Sequence, residues 1–176
     1  MEAYQKRAEL GGWEEEAYYS LFRVAICSVL KDDSWEIIQQ KFLDAYAYRP
    51  LRAEPLHQLS RLYRQAGKFN HAYIFAQRAS QIPYPQHDIL FISDDVYKWQ
   101  SLDELAATAF YSHDWVGGHL ACKKLIKDNL IPDGEKERVS NNLKMYEQKL
   151  NEMKKQQFEE QQRKQQHELL HNMEES

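Results

Sequence analysis

Apolar residues recur at three- and four-residue steps along most of the chain, the spacing of one face of an α-helix. Tyr18, Leu21, Phe22, Ala25, Ile26, Val29 and Leu30 trace such a face between Trp13 and Lys31. Asp32, Asp33 and Ser34 then read as a turn, with Ser34 or Asp33 suited to cap the next helix. Trp35, Ile38, Phe42, Ala45 and Tyr46 continue the pattern to about Tyr48. Pro50 stops it, because the residue before a proline is pushed out of the helical region. A second pair follows, from about Ala53 to Ala66 and from about Asn70 to Gln81. Pro55 is tolerated in a first helical turn, where its missing N–H has no partner anyway. Gly67 supplies the left-handed residue that ends a helix.

These two segments match each other at a fixed offset. Phe22, Ala25, Ile26, Val29, Trp35, Ile38, Phe42 and Ala45 lie 34 positions before Leu56, Leu59, Ser60, Tyr63, Phe69, Ala72, Ala76 and Ala79. Leu102, Leu105, Ala106, Ala109, Trp115, Gly118, Cys122 and Leu125 fit the same template at an offset of 46, the 34 plus an insertion of 12. The pattern therefore predicts a third pair, Tyr97 to about Tyr111 and Asp114 to about Asn129. A long connection from Pro83 to about Val96 precedes it, packed by its own apolar residues. Pro132 and Gly134 mark a last turn. From Glu135 a polar helix carries the seam Val139, Leu143, Tyr146, Leu150 and Met153. Beyond it the seam positions become Gln157, Glu160, Lys164, His167 and His171, which specify no coiled coil. The period and the alternation of small and large residues resemble those of tetratricopeptide-type helical hairpins. The expected fold is all-α: three hairpin repeats with an insertion after the second, plus a long C-terminal helix. Residues 1–12 form an N-terminal extension, 13–134 the repeat domain, 135–153 a capping helix, and 154–176 a polar, Gln-rich helical or disordered tail.

Composition narrows the function classes. A net charge of −4 argues against a general nucleic-acid binder. No apolar run approaches the roughly 20 residues needed to span a bilayer, and no leader peptide is evident near the start. The two cysteines, Cys27 and Cys122, fall inside helices. Reduced thiols in a cytoplasmic protein are expected, with a disulfide as the alternative.

Few positions suggest chemistry. Ile89-Leu90-Phe91-Ile92-Ser93-Asp94-Asp95 has the form of an apolar strand ending in two carboxylates, which hold a divalent metal in sugar-nucleotide transferases. The competing reading is that Ser93 or Asp94 caps the next helix. The context favours the cap, because helical hairpins and not βα units precede this segment. The seven histidines form no ligand motif; His167 and His171 are four apart on the tail. Gly11-Gly12 and Gly117-Gly118 are lone doublets and make no phosphate loop. The nearest sequence neighbours of Cys27 are apolar and supply nothing that would activate a thiol. No catalytic constellation, cofactor or metal is expected.

The remaining candidate is the inner surface formed by the first helix of each pair. The template places Arg23, Cys27 and Leu30 there from the first pair. His57, Arg61 and Arg64 come from the second, and Asp103, Ala107 and Phe110 from the third. Arg23, His57, Arg61, Arg64 and Phe110 are the candidate partner-binding residues. The arginines suit an acidic peptide or a phosphate. Alternatively they pair with Glu14, Glu15, Glu16 or Glu54 on the surface.

Three stretches carry a more specific likeness: Phe42-Leu-Asp-Ala-Tyr-Ala-Tyr-Arg-Pro-Leu-Arg-Ala-Glu-Pro-Leu, Ala72-Tyr-Ile-Phe-Ala-Gln-Arg-Ala, and Ile82-Pro-Tyr-Pro-Gln-His-Asp-Ile-Leu-Phe-Ile-Ser-Asp-Asp-Val-Tyr-Lys-Trp. They resemble the helical-repeat region that accompanies family-2-type glycosyltransferase domains, over most of the chain to about Tyr146. The resemblance implies a transferase-associated module, with the catalytic residues of that family in a domain outside this sequence. It leaves two roles open: a protein-interaction scaffold whose partner is a protein or peptide such as a glycosyltransferase, or an accessory region that helps bind donor or acceptor. Self-association through the superhelix edge or the tail is a third possibility.

Overall fold

The computed structural model describes residues 1–9 and 13–174. The Gly11-Gly12 doublet lies outside the described residues, as do the side chains of 168–174, His171 among them. Eight α-helices follow one another among the described residues: α1 (Glu2–Glu9), α2 (Glu14–Leu30), α3 (Trp35–Tyr48), α4 (Glu54–Gln65), α5 (Phe69–Ser80), α6 (Ser101–Thr108), α7 (Trp115–Lys127) and α8 (Asp133–Glu174). A π-helical turn, Val96–Gln100, runs directly into α6. No strand occurs among the described residues, so the apolar run 89–92 is loop. No helix among them is long and apolar enough to cross a membrane.

Local chemistry sets the boundaries. α3 ends at Tyr48, and Arg49, held by Pro50, leaves the helical region at φ −139° and ψ 81°. α2, α4 and α7 are each closed by a left-handed residue, Asp32 (φ 57°), Gly67 (φ 71°) and Asn129 (φ 51°), and a fourth, His113 (φ 60°), closes the turn that follows α6. The next amide in each case reaches back five residues, to a carbonyl of the preceding helix or, for Asp114, to that of Ala109 just past the end of α6. These bonds are Asp33 N to Ser28 O at 3.1 Å, Lys68 N to Tyr63 O at 2.9 Å, Asp114 N to Ala109 O at 3.0 Å and Leu130 N to Leu125 O at 3.1 Å. This six-to-one bond satisfies carbonyls that a helix end otherwise leaves open. Asn, Asp and His are the side chains that tolerate the left-handed region best after glycine.

Consecutive helices pack against one another. Ala72, Ala76 and Ala79 are almost fully buried, which lets α5 lie close on α4, and Ser60 Oγ donates to Ala72 O across that contact at 2.9 Å. Tyr63 fills the wider space, its ring stacked with those of Trp35, His71 and Phe75. One apolar cluster joins α2 to α5 and reaches Val96. A second joins α6, α7 and the start of α8 around Cys122, Leu125, Val139 and Tyr146. Burying a side chain the size of Phe42 contributes about 1.5–3 kcal/mol. Gly117 and Gly118 have separate roles here. A Cβ at Gly117 would overlap the Asp114 carboxylate, which caps α7 by accepting from Gly117 N at 2.9 Å. A Cβ at Gly118 would overlap the Tyr146 ring. Tyr146 in turn donates to Ala106 O at 2.8 Å, tying α8 to α6. Gly134 lies inside the first turn of α8, so the last turn falls at Asn129 to Pro132 and not at the glycine. α8 has 42 residues, about 63 Å of helix, and residues 154–167 are exposed throughout.

The segment between α5 and the π turn is fixed by buried charges. Arg52, 1% exposed, donates to Glu54 Oε1 at 2.8 Å and to Asp88 Oδ2 at 3.2 Å. It also donates to the carbonyls of Leu90 at 3.2 Å and Phe91 at 2.9 Å, and lies over the Tyr18 ring. Asp88 accepts a second fork from Arg49, at 2.6 and 2.8 Å. The Arg49 guanidinium holds the Asp88 carboxyl below its usual range, against burial and with help from Arg52. Glu15 on α2 accepts from the amides of Ile89 at 2.8 Å and Leu90 at 2.7 Å. Glu54 accepts from Ser93 N at 3.2 Å and from the Tyr97 hydroxyl at 2.7 Å. The expected long connection is present, but polar bonds to its main chain hold it, while Ile89 and Phe91 stay exposed.

Candidate functional site

A cavity of about 380 Å³ opens between α4, the π turn with α6, and the start of α8. The spacing of α4 puts His57, Arg61 and Arg64 on one face, at steps of four and three. α6 contributes Asp103, Glu104 and Ala107, the π turn Trp99 and Gln100, and α8 Glu135 and Arg138. A π turn shifts the face that a helix presents, and Trp99 and Gln100 reach the cavity wall from that turn.

The charges are organised in pairs. Arg64 forks onto Glu104, with Nε to Oε2 at 2.7 Å and Nη2 to Oε1 at 2.8 Å. Arg138 donates to Asp103 at 2.8 Å and to Glu135 at 2.8 Å. Arg61 is exposed and makes none of the hydrogen bonds or ion pairs found among the described side chains. Three guanidinium groups therefore face three carboxylates. His57 is 2% exposed, and neither ring nitrogen has a hydrogen-bond partner. Burial pushes its pKa down to about 4, with Glu104 and Arg61 acting in opposite directions, so the ring is neutral at neutral pH. Asp103 Oδ1 is likewise buried without a partner. Burial raises the Asp103 pKa, and Arg138 restrains the rise.

The structure brings together His57, Arg61, Arg64, Asp103 and Ala107. It leaves Phe110 and Arg23 outside the cavity. Phe110 lines a smaller hollow of about 70 Å³ with Tyr146 and Met145, and this hollow shares Ala107 with the cavity. Arg23 lies over the rings of Tyr4 and Tyr19. The reason is α1, which packs on α2 and places Tyr4 against Arg23; Cys27 and Leu30 do not line the cavity either. The glutamates weighed as partners for these arginines are engaged elsewhere. Glu14 pairs with Arg49, Glu16 with Arg7, Glu54 with Arg52, and Glu15 binds loop amides. A groove of excess positive charge is therefore not what forms, since Arg64 is neutralised by Glu104. Sequence reasoning missed Trp99, Gln100, Glu104, Glu135 and Arg138. The i,i+3 spacing of Glu135 and Arg138 was the available signal for an α8 wall.

Asp94 is taken up by Lys98 and by the Tyr84 hydroxyl, each at 3.1 Å. Ser93 meets the start of the helix with its carbonyl, accepting from Val96 N at 2.9 Å. No group of three or more His, Cys, Asp or Glu side chains among the described residues is placed to hold a metal. Both cysteines are free, and burial pushes the Cys122 thiol up to about 12. No protein-family model and no curated protein matches the chain.

Proposed function

We propose that the chain is a non-catalytic interaction scaffold of the tetratricopeptide type, which takes a segment of a protein partner into the groove between α4, α6 and α8. The observation that carries this reading is the cavity itself. It is walled by the first helices of two successive pairs, and it holds a buried imidazole and a guanidinium with no protein partner. Rigid helical pairs keep such a surface in place without the surface having to fold on binding, which lowers the cost of association. The likeness of the three sequence stretches to transferase-associated repeats supports a glycosyltransferase as the partner class. The 34-residue offset and the recurring left-handed closures support the repeat organisation.

The test is recovery of partner protein on the immobilised chain, compared with Arg61→Glu and with Arg163→Glu on the exposed part of α8. Arg61→Glu is expected to abolish recovery and Arg163→Glu to leave it unchanged. Equal recovery by all three proteins sinks the groove reading.

A further inference from the structure

A second hollow, of about 400 Å³, borders the buried charges around Arg52 and is lined by Arg49, Leu51 and residues 83–88. Its reachable surface is mostly carbon. Leu51 is 43% and Tyr84 44% exposed, and Pro83 is exposed as well. The one carboxylate in the wall is already neutralised: the Asp88 side chain, 1% exposed, is held by both Arg49 and Arg52. The wall is also fixed. Pro83 and Pro85 have φ locked by their rings, Asp88 N donates to Pro85 O at 3.0 Å, and the Tyr84 ring meets Tyr97 edge-on. A loop held this way loses little further freedom when something docks on it. Exposed apolar surface rimmed by polar groups marks an interaction site.

The rim supplies the second half of the description, because it is acidic. Glu14, 76% exposed, accepts from Arg49 at 2.9 Å. Asp94, 53% exposed, accepts from the Tyr84 hydroxyl at 3.1 Å, and Asp95 beside it is exposed. Residues 82–95 contain three aspartates and no lysine or arginine. With Glu15 and Glu54 in the clamp behind, three cations here, Arg49, Arg52 and Lys98, stand against six carboxylates. Such a field repels an acidic segment and draws in a basic one. We propose that the hollow between Arg49, Leu51 and residues 83–88 is a docking site for an apolar side chain of a protein partner that carries lysine or arginine on either side of it. The apolar group covers Leu51, Pro83 and the Tyr84 ring, and the flanking cations meet Glu14 and Asp94. A second copy is the poorer fit, since the chain carries a net charge of −4 and copies repel one another. This site shares no lining residue with the α4–α6–α8 cavity and does not rest on it.

The experiment follows the backbone amide resonances of Tyr84, Gln86 and His87 in the isotope-labelled full chain during titration with the peptide acetyl-Gly-Lys-Leu-Lys-Gly-amide. Two further peptides are titrated separately, one with serine in place of leucine and one with glutamate in place of both lysines. The expected result is a saturable shift at these amides with the first peptide, about tenfold weaker binding with serine and severalfold weaker binding with glutamate. Leu51→Asn is expected to weaken the first peptide about fivefold, and Glu14→Gln about two- to threefold. Circular dichroism checks that both variants fold; Glu14 is exposed and the glutamine keeps its size, so that variant carries the test if Leu51→Asn does not fold. Equal binding of the leucine and serine peptides overturns the proposal, because charge alone then accounts for it. Equal binding of the lysine and glutamate peptides overturns the basic partner, and no shift with any peptide overturns the site. If the same amides shift when the chain alone is concentrated, and sedimentation shows dimers, the hollow belongs to a second copy and the partner assignment falls. All of these outcomes leave the α4–α6–α8 cavity to its own test.

Discussion

Replacing Arg52 by alanine tests whether the buried charges hold the 83–95 segment in place. The guanidinium bonds two carboxylates and two carbonyls, and it is as buried as Glu54 and Asp88, whose side chains are 3% and 1% exposed. Removing one member of a buried ionic set costs about 3–5 kcal/mol, because the remaining charge stays desolvated. Two features moderate this. Asp88 keeps its fork from Arg49, and Glu54 keeps the Tyr97 hydroxyl and Ser93 N. The carbonyls of Leu90 and Phe91 have no such reserve and regain partners only by turning to water. A loss of about 4 kcal/mol lowers the melting temperature of a chain this size by about 12 °C. It also concentrates the damage in one place. Amide exchange at Ile89, Leu90 and Ser93, whose N–H groups donate to Glu15 and Glu54, is expected to quicken well before that of α7 and the start of α8. Arg52→Lys is expected to fall between, since an ammonium keeps the charge but not the planar fork. A melting shift below about 3 °C, with those three amides still protected, would refute the reasoning.

Three further outcomes follow from geometry already described. Gly118→Ala forces the Tyr146 ring off α7 and is expected to cost about 1–3 kcal/mol, read by thermal melting and by faster exchange along the first half of α8. Folded His57 titrates near 4 against 6.5 unfolded, so only the unfolded chain takes up that proton in between. Its contribution is intact above about pH 6.5 and is lost, by up to about 3 kcal/mol, as pH falls toward 4; His57→Gln is expected to flatten the urea-denaturation profile across that window. Iodoacetamide at neutral pH is expected to leave Cys122 unmodified in the native chain and to label it in denaturant, as peptide mapping would show.

Helix existence was legible because apolar spacing, Pro50 and Gly67 act within a few residues of one another. The same holds for α4, whose face carries His57, Arg61 and Arg64 as its period requires. The acids that neutralise Arg64 and Arg138 were not legible as cavity walls, because pairing between α4, α6 and α8 depends on how helices 40 residues apart come to rest. The burial of Arg49, Arg52 and Glu54 was not legible for the same reason: Asp88, the partner of both arginines, sits in the insertion, and nothing local separates a buried charge from a solvated one. His113 shows a subtler limit. Its left-handed backbone matches that of Gly67 at the repeat offset, yet histidine carries no strong signal for that conformation.

The clamp around Arg52 has a consequence for how the 83–95 segment can vary. Apart from Asp88, every bond it makes there is to a peptide N–H or C=O: those of Ile89, Leu90, Phe91 and Ser93. Peptide groups are the same whatever side chain they carry. Position 89, held from behind and open in front, can therefore exchange residues while the loop keeps its course, whereas Phe91 is tied by its stack on Tyr19 and by a left-handed backbone at φ 54°. At position 89 conformation and surface chemistry are uncoupled; at 91 they are not.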